Sequence, residues 1–208
     1  MPPTRRRLLL AFMALGLMAR RAALAESSST SFLYRGFTVD LSEARGAADL
    51  EAIEKSLKHQ IDIVADCGAK AEILAFFRTQ PIFVRPGAGD GGGRFTTARP
   101  GVSVDVATAA PEKPVVLHEL LHAYHYRVLP QGHDNPELQT VYQRARSGNF
   151  YPPDAYVLKN VQEFFAVTAS LYLWGNVDRP PHDRKTLHDK QPMYYKWLGD
   201  QFAVVKSV

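Results

Sequence analysis

The chain has 208 residues, of which 46% are hydrophobic, and its 25 Lys and Arg against 21 Asp and Glu give a formal net charge of +4 at pH 7. This length suits one globular domain with a substantial core and requires no second domain. The single cysteine, Cys67, excludes an internal disulfide and a thiolate zinc site of the finger type, because each needs more than one cysteine. We expect Cys67 to be a partly buried packing residue rather than a nucleophile.

Residues 1–25 have the pattern of a bacterial-type export signal peptide. Three arginines, Arg5–Arg7, precede an apolar stretch, Leu8–Met18, that is too short to span a bilayer comfortably, and Ala23–Ala25 provides a small-x-small cleavage site. The arginines loosely resemble a twin-arginine leader, so the route stays open between that pathway and the general secretory one. An uncleaved anchor is the alternative that the short apolar stretch disfavours. We expect residues 26–208 to form one domain that works in the periplasm or outside the cell, with no stable membrane anchor after cleavage.

The positive charge belongs mostly to this predicted signal peptide. Five of the 25 basic residues and none of the 21 acidic residues precede residue 26, which leaves the rest of the chain with a net charge of about −1. Proteins that bind nucleic acids or anionic membranes use clustered Lys and Arg. We therefore expect no nucleic-acid partner.

The spacing of apolar and polar residues up to residue 109 predicts strands and helices within one compact α+β unit. In chain order, the spacing of apolar residues predicts a strand at 33–41, a helix at 47–66 that begins near Asp49, a short helix at 69–80, and strands at 81–86 and 101–109. The Gly-rich segment Gly87–Arg94 lacks the Gly-Lys-Ser/Thr ending of a phosphate-binding loop. It is predicted to be a mobile flap or hairpin tip.

The run "PVVLHELLHAYHYRVL" (Pro114–Leu129) carries two histidines, His118 and His122, with Glu119 between them. Positions four apart lie on one helix face, about 6 Å apart along the axis, so two imidazoles can converge on one ion. Glu119 is placed to take a proton from a metal-bound water. The alternative is an ordinary core helix. Burying two His and one Glu costs several kcal/mol unless they are satisfied together, which a metal achieves.

A catalytic zinc site needs a third protein ligand. His125 lies about 10.5 Å along the helix axis from His118 and cannot share a metal with it. The metzincin pattern places a histidine at position 128, where this chain has Val128, so that class is excluded. Glu163 is a single carboxylate entering an otherwise apolar helix, which favours a ligand. It also fits a capping box with Asn160, and the two roles conflict only in part.

The motif HELLH (His118–His122), followed by "YVLKNVQEFFA" (Tyr156–Ala166), resembles the catalytic signature of zinc metallopeptidases related to anthrax toxin lethal factor. These enzymes are of the gluzincin type, in which a downstream glutamate completes the metal site. The resemblance implies one zinc ion per chain held by His118, His122 and Glu163. It also implies Glu119 as the general base and Tyr156 as a hydroxyl that stabilises the oxyanion.

The same resemblance implies a zincin-like α+β domain with a small mixed sheet and an active-site helix carrying HExxH. It places "VSVDVA" (Val102–Ala107) as the edge strand that pairs with an extended substrate. Where many gluzincins have an acidic residue four after the ligand glutamate, this chain has Val167. A carboxylate that orients a zinc-bound imidazole must therefore come from elsewhere, and Asp154 and Asp105 are candidates.

These observations predict an exported zinc metallopeptidase that acts on a peptide or protein substrate. The alternative is a catalytically silent zinc-binding module that binds a peptide or protein partner, and a third reading is a structural protein without metal. The intact Glu119 favours the enzyme, since a site that only held metal would not need this base.

Overall fold

The computed structural model of the chain describes residues 30–85, 92–105 and 112–202. The predicted signal peptide lies outside these residues, as do most of the Gly-rich segment and the end of the strand predicted at 101–109. Among the helices of the described residues, none has the length and apolar character needed to cross a membrane.

Five strands of the described residues form one mixed sheet in the order β1-β2-β3-β5-β4. Their bounds are β1 Ser31–Tyr34, β2 Phe37–Asp40, β3 Ile82–Arg85, β4 Gly93–Phe95 and β5 Val102–Asp105. Strand β2 runs parallel to β3 and β3 runs parallel to β5, while β1 and β4 are antiparallel to their neighbours. Alternate residues of β2 and β3 are the more deeply buried, as expected for side chains that alternate across a pleated strand, whereas Val102, Ser103 and Val104 of β5 are all buried.

The single strand predicted at 33–41 is in fact two strands, β1 and β2, joined by a tight turn. Arg35 and Gly36 form the turn with φ angles of 48° and 86°. A two-residue hairpin turn with positive φ at both positions matches the right-handed twist of the flanking strands. The alternation of the sequence continues through the turn, which is why the pattern alone predicts one strand.

The strand predicted to be the substrate-pairing edge, Val102–Ala107, is not an edge strand. Its described part, β5, lies between β3 and β4 and is hydrogen-bonded on both sides. The edge beyond it is β4, which the sequence reading placed in a flap. Strand β5 is not an edge strand because β4 pairs antiparallel with it on the side opposite β3.

Seven α-helices and three short 3₁₀ turns complete the described residues. The helices are α1 Leu50–Asp66, α2 Ala71–Arg78, α3 Val115–Arg127, α4 Pro136–Ser147, α5 Val161–Trp174, α6 Arg184–Lys190 and α7 Pro192–Phe202. The 3₁₀ turns are Ser42–Ala44, Gly132–Asp134 and Tyr156–Leu158. The predictions of α1, α2 and β3 are confirmed, and Cys67 is buried in the core with 2% of its surface exposed.

Helix α3 lies at the centre of the molecule. It contacts α1, α2, α5, β4 and β5, and nine of its residues are buried, including Glu119, His122 and His125. A helix enclosed on several sides cannot leave its polar side chains to water, so each of them needs a partner or carries a cost. The buried polar residues of α3 are therefore candidates for a functional site.

Candidate metal centre

A buried glutamine from α1 fixes the start of α3. Gln60 Nε2 donates to the Lys113 carbonyl at 2.7 Å, and Gln60 Oε1 accepts from the Val116 N–H at 3.3 Å. The first N–H groups of a helix have no partners inside the helix, and Pro114 before α3 supplies no capping side chain. The Gln60 amide takes the place of a cap and so sets where the histidine-bearing helix begins.

Three side chains from α3 and α5 converge on one point. His118 Nε2 and His122 Nε2 are 3.1 Å apart, and Glu163 Oε2 lies 3.2 Å from the first and 3.3 Å from the second. In the described residues these three form a group whose ligand atoms all lie within 4.8 Å of one another. A tetrahedral zinc with bonds of about 2.0–2.1 Å separates its ligands by roughly 3.3 Å. The donor types, their number and their spacing therefore fit a zinc ion.

Glu163 takes part in the helix cap with Asn160 and also faces the two histidines, so both roles considered from the sequence apply to it. Asn160 caps α5 by accepting from the Glu163 backbone N–H at 2.8 Å, as in a capping box. The Glu163 side chain does not complete the box by returning to Asn160; it points to the two histidines. Burial opposes ionisation of this carboxyl, but hydrogen bonds with His118 and His122 outweigh burial and hold its pKa well below the usual value. The cap thus orients the first turn of α5 so that its carboxylate faces α3.

Glu119 is a buried carboxylate between α3 and the edge strand β4. Only 6% of its surface is exposed, and burial raises its pKa above the usual value even though His118 and His122 act in the opposite direction. The Phe95 backbone amide faces the carboxylate and favours its charged form. Gly93 also lies against this side chain, because a Cβ built at this position would be 2.5 Å from Glu119 Cγ. Any residue with a Cβ at position 93 would therefore clash with the Glu119 side chain as it is placed here.

Tyr156 lies on the 3₁₀ turn that leads into α5. The turn is held by α4, where the buried Tyr142 hydroxyl donates to the Leu158 carbonyl at 2.9 Å. Burial and the neighbouring Glu163 carboxylate both raise the pKa of the Tyr156 phenol, so the hydroxyl remains protonated at neutral pH. A neutral phenol next to the three converging side chains is a hydrogen-bond donor.

A cleft of about 420 Å³ opens beside these residues. It is lined by Gly92, Gly93, Lys113, Pro114, Val115, His118, Glu119, Tyr156, Val167, Ser170, Val177, Asp178 and Arg179. The cleft therefore joins a metal-site histidine, the buried carboxylate and the phenol. The Gly-rich segment contributes Gly92 and Gly93 to this lining. Tyr151 does not line the cleft; it is buried and accepts a hydrogen bond from Gln191.

The two carboxylates suggested to orient the histidines do not reach them. Asp105 pairs with Arg85 at 3.1 Å, and Asp154 is exposed to solvent. Within the described ranges, Glu163 is the carboxylate that bonds to His118 or His122. His125 is outside the metal group, as its helical spacing requires.

Residues that the sequence did not single out also build the site, notably Gln60 and Gly93. Gln60 gave no signal, because its partners are more than 50 positions away in the chain. Gly93 belongs to the Gly-rich segment, for which the sequence predicts a mobile flap or hairpin tip and no individual role for any one glycine. Its tight approach to Glu119 depends on the placement of β4 against α3, which local pattern does not reveal.

Comparison with known proteins gives three findings. Residues 88–201, more than half of the chain, match the family model described as "Anthrax toxin lethal factor, N- and C-terminal domain". A stretch of 87 residues is 32% identical to the Pro-Pro endopeptidase of Paenibacillus alvei and covers 42% of this chain but only 37% of that relative. The solved structure of the Pro-Pro endopeptidase from Paenibacillus alvei superposes with a TM-score of 0.50 at 19% identity, over 76% of this chain and 95% of that one. At this identity the likeness shows a shared fold.

Proposed function

The chain belongs to the anthrax toxin lethal factor family, and on this premise we propose that it is an exported zinc-dependent metallopeptidase that hydrolyses peptide bonds. The observation that carries the proposal is the buried Glu119 carboxylate directly beside the triangle of His118, His122 and Glu163. A structural zinc site is usually closed by four protein ligands, whereas three ligands next to a carboxylate is the arrangement of hydrolytic sites.

In this proposal His118, His122 and Glu163 hold the zinc. When bound, the zinc lowers the pKa of a coordinated water and polarises the carbonyl of the bond to be cleaved. Glu119 takes the proton from the attacking water and delivers it to the leaving amine. The pKa of Glu119, raised by burial, suits a group that must both accept and release a proton.

Tyr156 stabilises the negative charge that develops on the carbonyl oxygen. Its phenol lines the same cleft as Glu119 and His118, and its raised pKa keeps the proton available for donation. A donor preorganised at this place lowers the barrier because the charge it meets exists only in the transition state.

The substrate lies along β4 in place of the edge strand assigned from the sequence. Within the described sheet, β4 is hydrogen-bonded to β5 on one side only, and Gly92 and Gly93 at its start line the cleft. An extended peptide added to this edge would find backbone donors and acceptors for main-chain hydrogen bonds. The scissile bond would then lie close to Glu119, which touches Gly93.

The test uses the secreted or periplasmic form of the chain, purified with zinc. We expect about one zinc per chain by elemental analysis, and cleavage of peptides from a diverse library that stops on chelation and resumes when zinc is restored. The name of the relative makes peptides with two consecutive prolines the first substrates to include. Glu119→Gln should keep the zinc and lose cleavage.

The outcomes separate the enzyme from its alternatives. Zinc at full occupancy without cleavage of any peptide would favour the silent binding module. Absence of stoichiometric zinc would reject both. Export is tested separately by expressing the full chain in a bacterium and sequencing the N-terminus of the periplasmic product, which we expect to begin at Glu26.

A further inference from the structure

The ring of Tyr156 is flanked by two cations that come from different parts of the fold. The Arg179 guanidinium carbon lies 4.7 Å from the ring centroid, and Lys159 Nζ lies 5.1 Å from it. The two contacts differ in how firmly the cation is held. Lys159 belongs to the same segment as Tyr156, its side chain is 59% exposed, and its ion-pair contact with Glu163 is 4.0 Å long.

Arg179, in contrast, stands near the tip of a closed loop at the end of α5. Asn176 and Asp183 form an isolated antiparallel bridge at the base of the loop, and the Val177 N–H donates to the His182 carbonyl at 2.9 Å. Nearer the tip, the His182 N–H donates to the Arg179 carbonyl at 2.8 Å. The backbone that carries Arg179 is thus fixed by its own hydrogen bonds.

The loop is also fastened to α5. Arg184, directly after it, donates to the carbonyls of Tyr172 at 2.9 Å and Leu173 at 3.1 Å. These carbonyls belong to the last turn of α5, where a cation is favoured by the helix dipole. The loop therefore has a defined position relative to the helix that supplies Glu163.

The Arg179 side chain makes one ion pair, with the neighbouring Asp178. Its Nε donates to Asp178 Oδ1 at 3.2 Å, and Asp178 Oδ2 lies 3.4 Å from the Nζ of Lys113, which comes just before α3. These side chains are partly exposed, so each ion pair alone contributes little. Together they connect the start of the histidine helix, through Asp178 and Arg179, to the ring of Tyr156.

We propose that Arg179 is a positioning residue that holds the Tyr156 ring against the cleft so that its hydroxyl faces the reacting carbonyl, with Asp178 orienting the guanidinium. The proposal rests on the proposed peptidase function. Tyr156 is 37% exposed on a short turn, and the Arg179 guanidinium beside its ring adds a restraint to the hydrogen-bonding interaction of its hydroxyl with Glu163. Holding a donor in place matters because misplacement by about 1 Å can cost up to 10²-fold in rate.

Kinetics distinguish this role from direct substrate binding, which is the other role open to a cleft residue. The probe is the internally quenched peptide that the wild-type protein cleaves fastest from a panel with consecutive prolines. We expect Tyr156→Phe to lower kcat by about 10²-fold to 10³-fold, the size seen for loss of one oxyanion donor. We expect Arg179→Ala to lower kcat by about 10-fold to 100-fold with KM within about twofold, because the ring is displaced but not removed.

The double variant is decisive. Arg179→Ala in a Tyr156→Phe background should have little further effect, because the hydroxyl that Arg179 positions is already gone. Arg179→Lys should restore part of the rate, since it keeps a cation near the ring. Multiplying effects in the double variant, or a rise in KM with kcat unchanged, would show instead that Arg179 binds substrate and would overturn the proposal.

A control cation–tyrosine pair lies outside the cleft. Lys190 Nζ lies 5.9 Å from the centroid of the Tyr151 ring, and neither residue lines the cleft. Lys190→Ala should leave kcat and KM unchanged. Melting temperature and zinc content, measured for every variant, identify any loss of rate that comes from unfolding.

A readout that needs no catalysis completes the test. In protein labelled with fluorotyrosine, the ¹⁹F resonance of Tyr156 is the one of nine that disappears in Tyr156→Phe. It should shift in Arg179→Ala and stay in place in Lys190→Ala. An unmoved resonance in Arg179→Ala would overturn the positioning role even in an active enzyme. A shifted resonance in a protein that cleaves nothing would uphold the contact and reject the peptidase function.

Discussion

Gly93 on the edge strand and Glu119 on the central helix are in direct contact, so closely that a Cβ at Gly93 would lie 2.7 Å from the Glu119 carboxylate oxygen Oε1. Real Cβ atoms do not approach other atoms to this distance, so one of the two must move if a side chain is added. The backbone of β4 is tied to β5, which leaves the carboxylate as the part that shifts. The strand thus limits where the proposed general base can be.

The first prediction concerns this contact. Gly93→Ala should displace Glu119 and lower kcat/KM by about 10-fold or more, because a general base must stay within hydrogen-bond reach of the proton it abstracts. Zinc content should stay near one per chain, since Gly93 does not contact the ligands. Peptide cleavage and elemental analysis on the same preparation check both parts. An alanine variant with wild-type kcat/KM would show that β4 yields freely.

The second prediction concerns Glu163 as the third ligand. Glu163→Ala should weaken zinc binding by more than about 100-fold, because even groups that only support a ligand account for 10-fold to 100-fold in affinity. Competition with a chromophoric chelator measures the affinity. Glu72→Ala serves as the control, since Glu72 is a largely exposed carboxylate outside the metal group. Full zinc occupancy in Glu163→Ala would overturn the ligand assignment.

The third prediction concerns the buried amide that begins α3. Gln60→Leu leaves the Val116 N–H without its partner and removes one of two donors to the Lys113 carbonyl, which still accepts from the Val115 N–H. It should lower the free energy of unfolding by about 1–3 kcal/mol. Urea unfolding of the zinc-free protein isolates this effect from metal binding. Lys55→Ala, on the exposed side of the same helix, should change stability by less than about 0.5 kcal/mol. Equal stability of Gln60→Leu and the wild type would show that α3 needs no external cap.

The fourth prediction concerns the pH dependence of stability. His125 is fully buried among Phe165 and His133, and neither ring nitrogen makes a hydrogen bond. Burial, together with the nearby imidazoles of His133 and His122, lowers the pKa of His125 to about 3. The nearby Gly132 backbone favours the charged ring but is not aligned to bond with it.

In the unfolded chain this histidine titrates near pH 6.5. Between about pH 6.5 and about 3 the unfolded state therefore binds more protons than the folded state. The stability is complete above this window and falls as the pH drops through it, by about 2 kcal/mol at pH 5 from this group alone. Denaturant unfolding at pH 7.5 and pH 5 should show this loss in the wild type and a smaller loss in His125→Leu. An equal loss in both proteins would exclude His125 as the cause.

The helices and the convergence of the three proposed metal ligands are the parts that the sequence predicts well. The apolar spacing of α1 and α2 and the five-residue motif at His118 are local signals, because a helix brings positions four apart together regardless of the rest of the fold. Glu163 is recognisable for a related reason. It is an isolated charge at the start of an apolar helix, where only a cap or a ligand gives a carboxylate a reason to be buried.

The strand order and the supports of the site are the parts that the sequence does not reveal. Whether Val102–Asp105 is central or at the edge depends on where Gly93–Phe95 returns, and both segments alternate in the same way in either arrangement. Gln60 and Arg179 act through partners that only the folded chain brings near, over separations of 56 positions for Gln60 and Val116. The hairpin at Arg35–Gly36 is not predicted because its two-residue turn is too short to interrupt the alternation of apolar and polar residues.

The capping of α3 by Gln60 has a consequence for where the protein can be cut. The family match begins at residue 88, yet the helix it contains starts against α1, and β5 hydrogen-bonds to β3 at 82–85. A fragment that starts at residue 88 lacks β3, so the side of β5 that pairs with β3 would be exposed. Exposed strand edges pair with other chains and promote aggregation. The start of the family match is therefore not a suitable place to truncate the chain, and truncation libraries should keep everything from β1 onward.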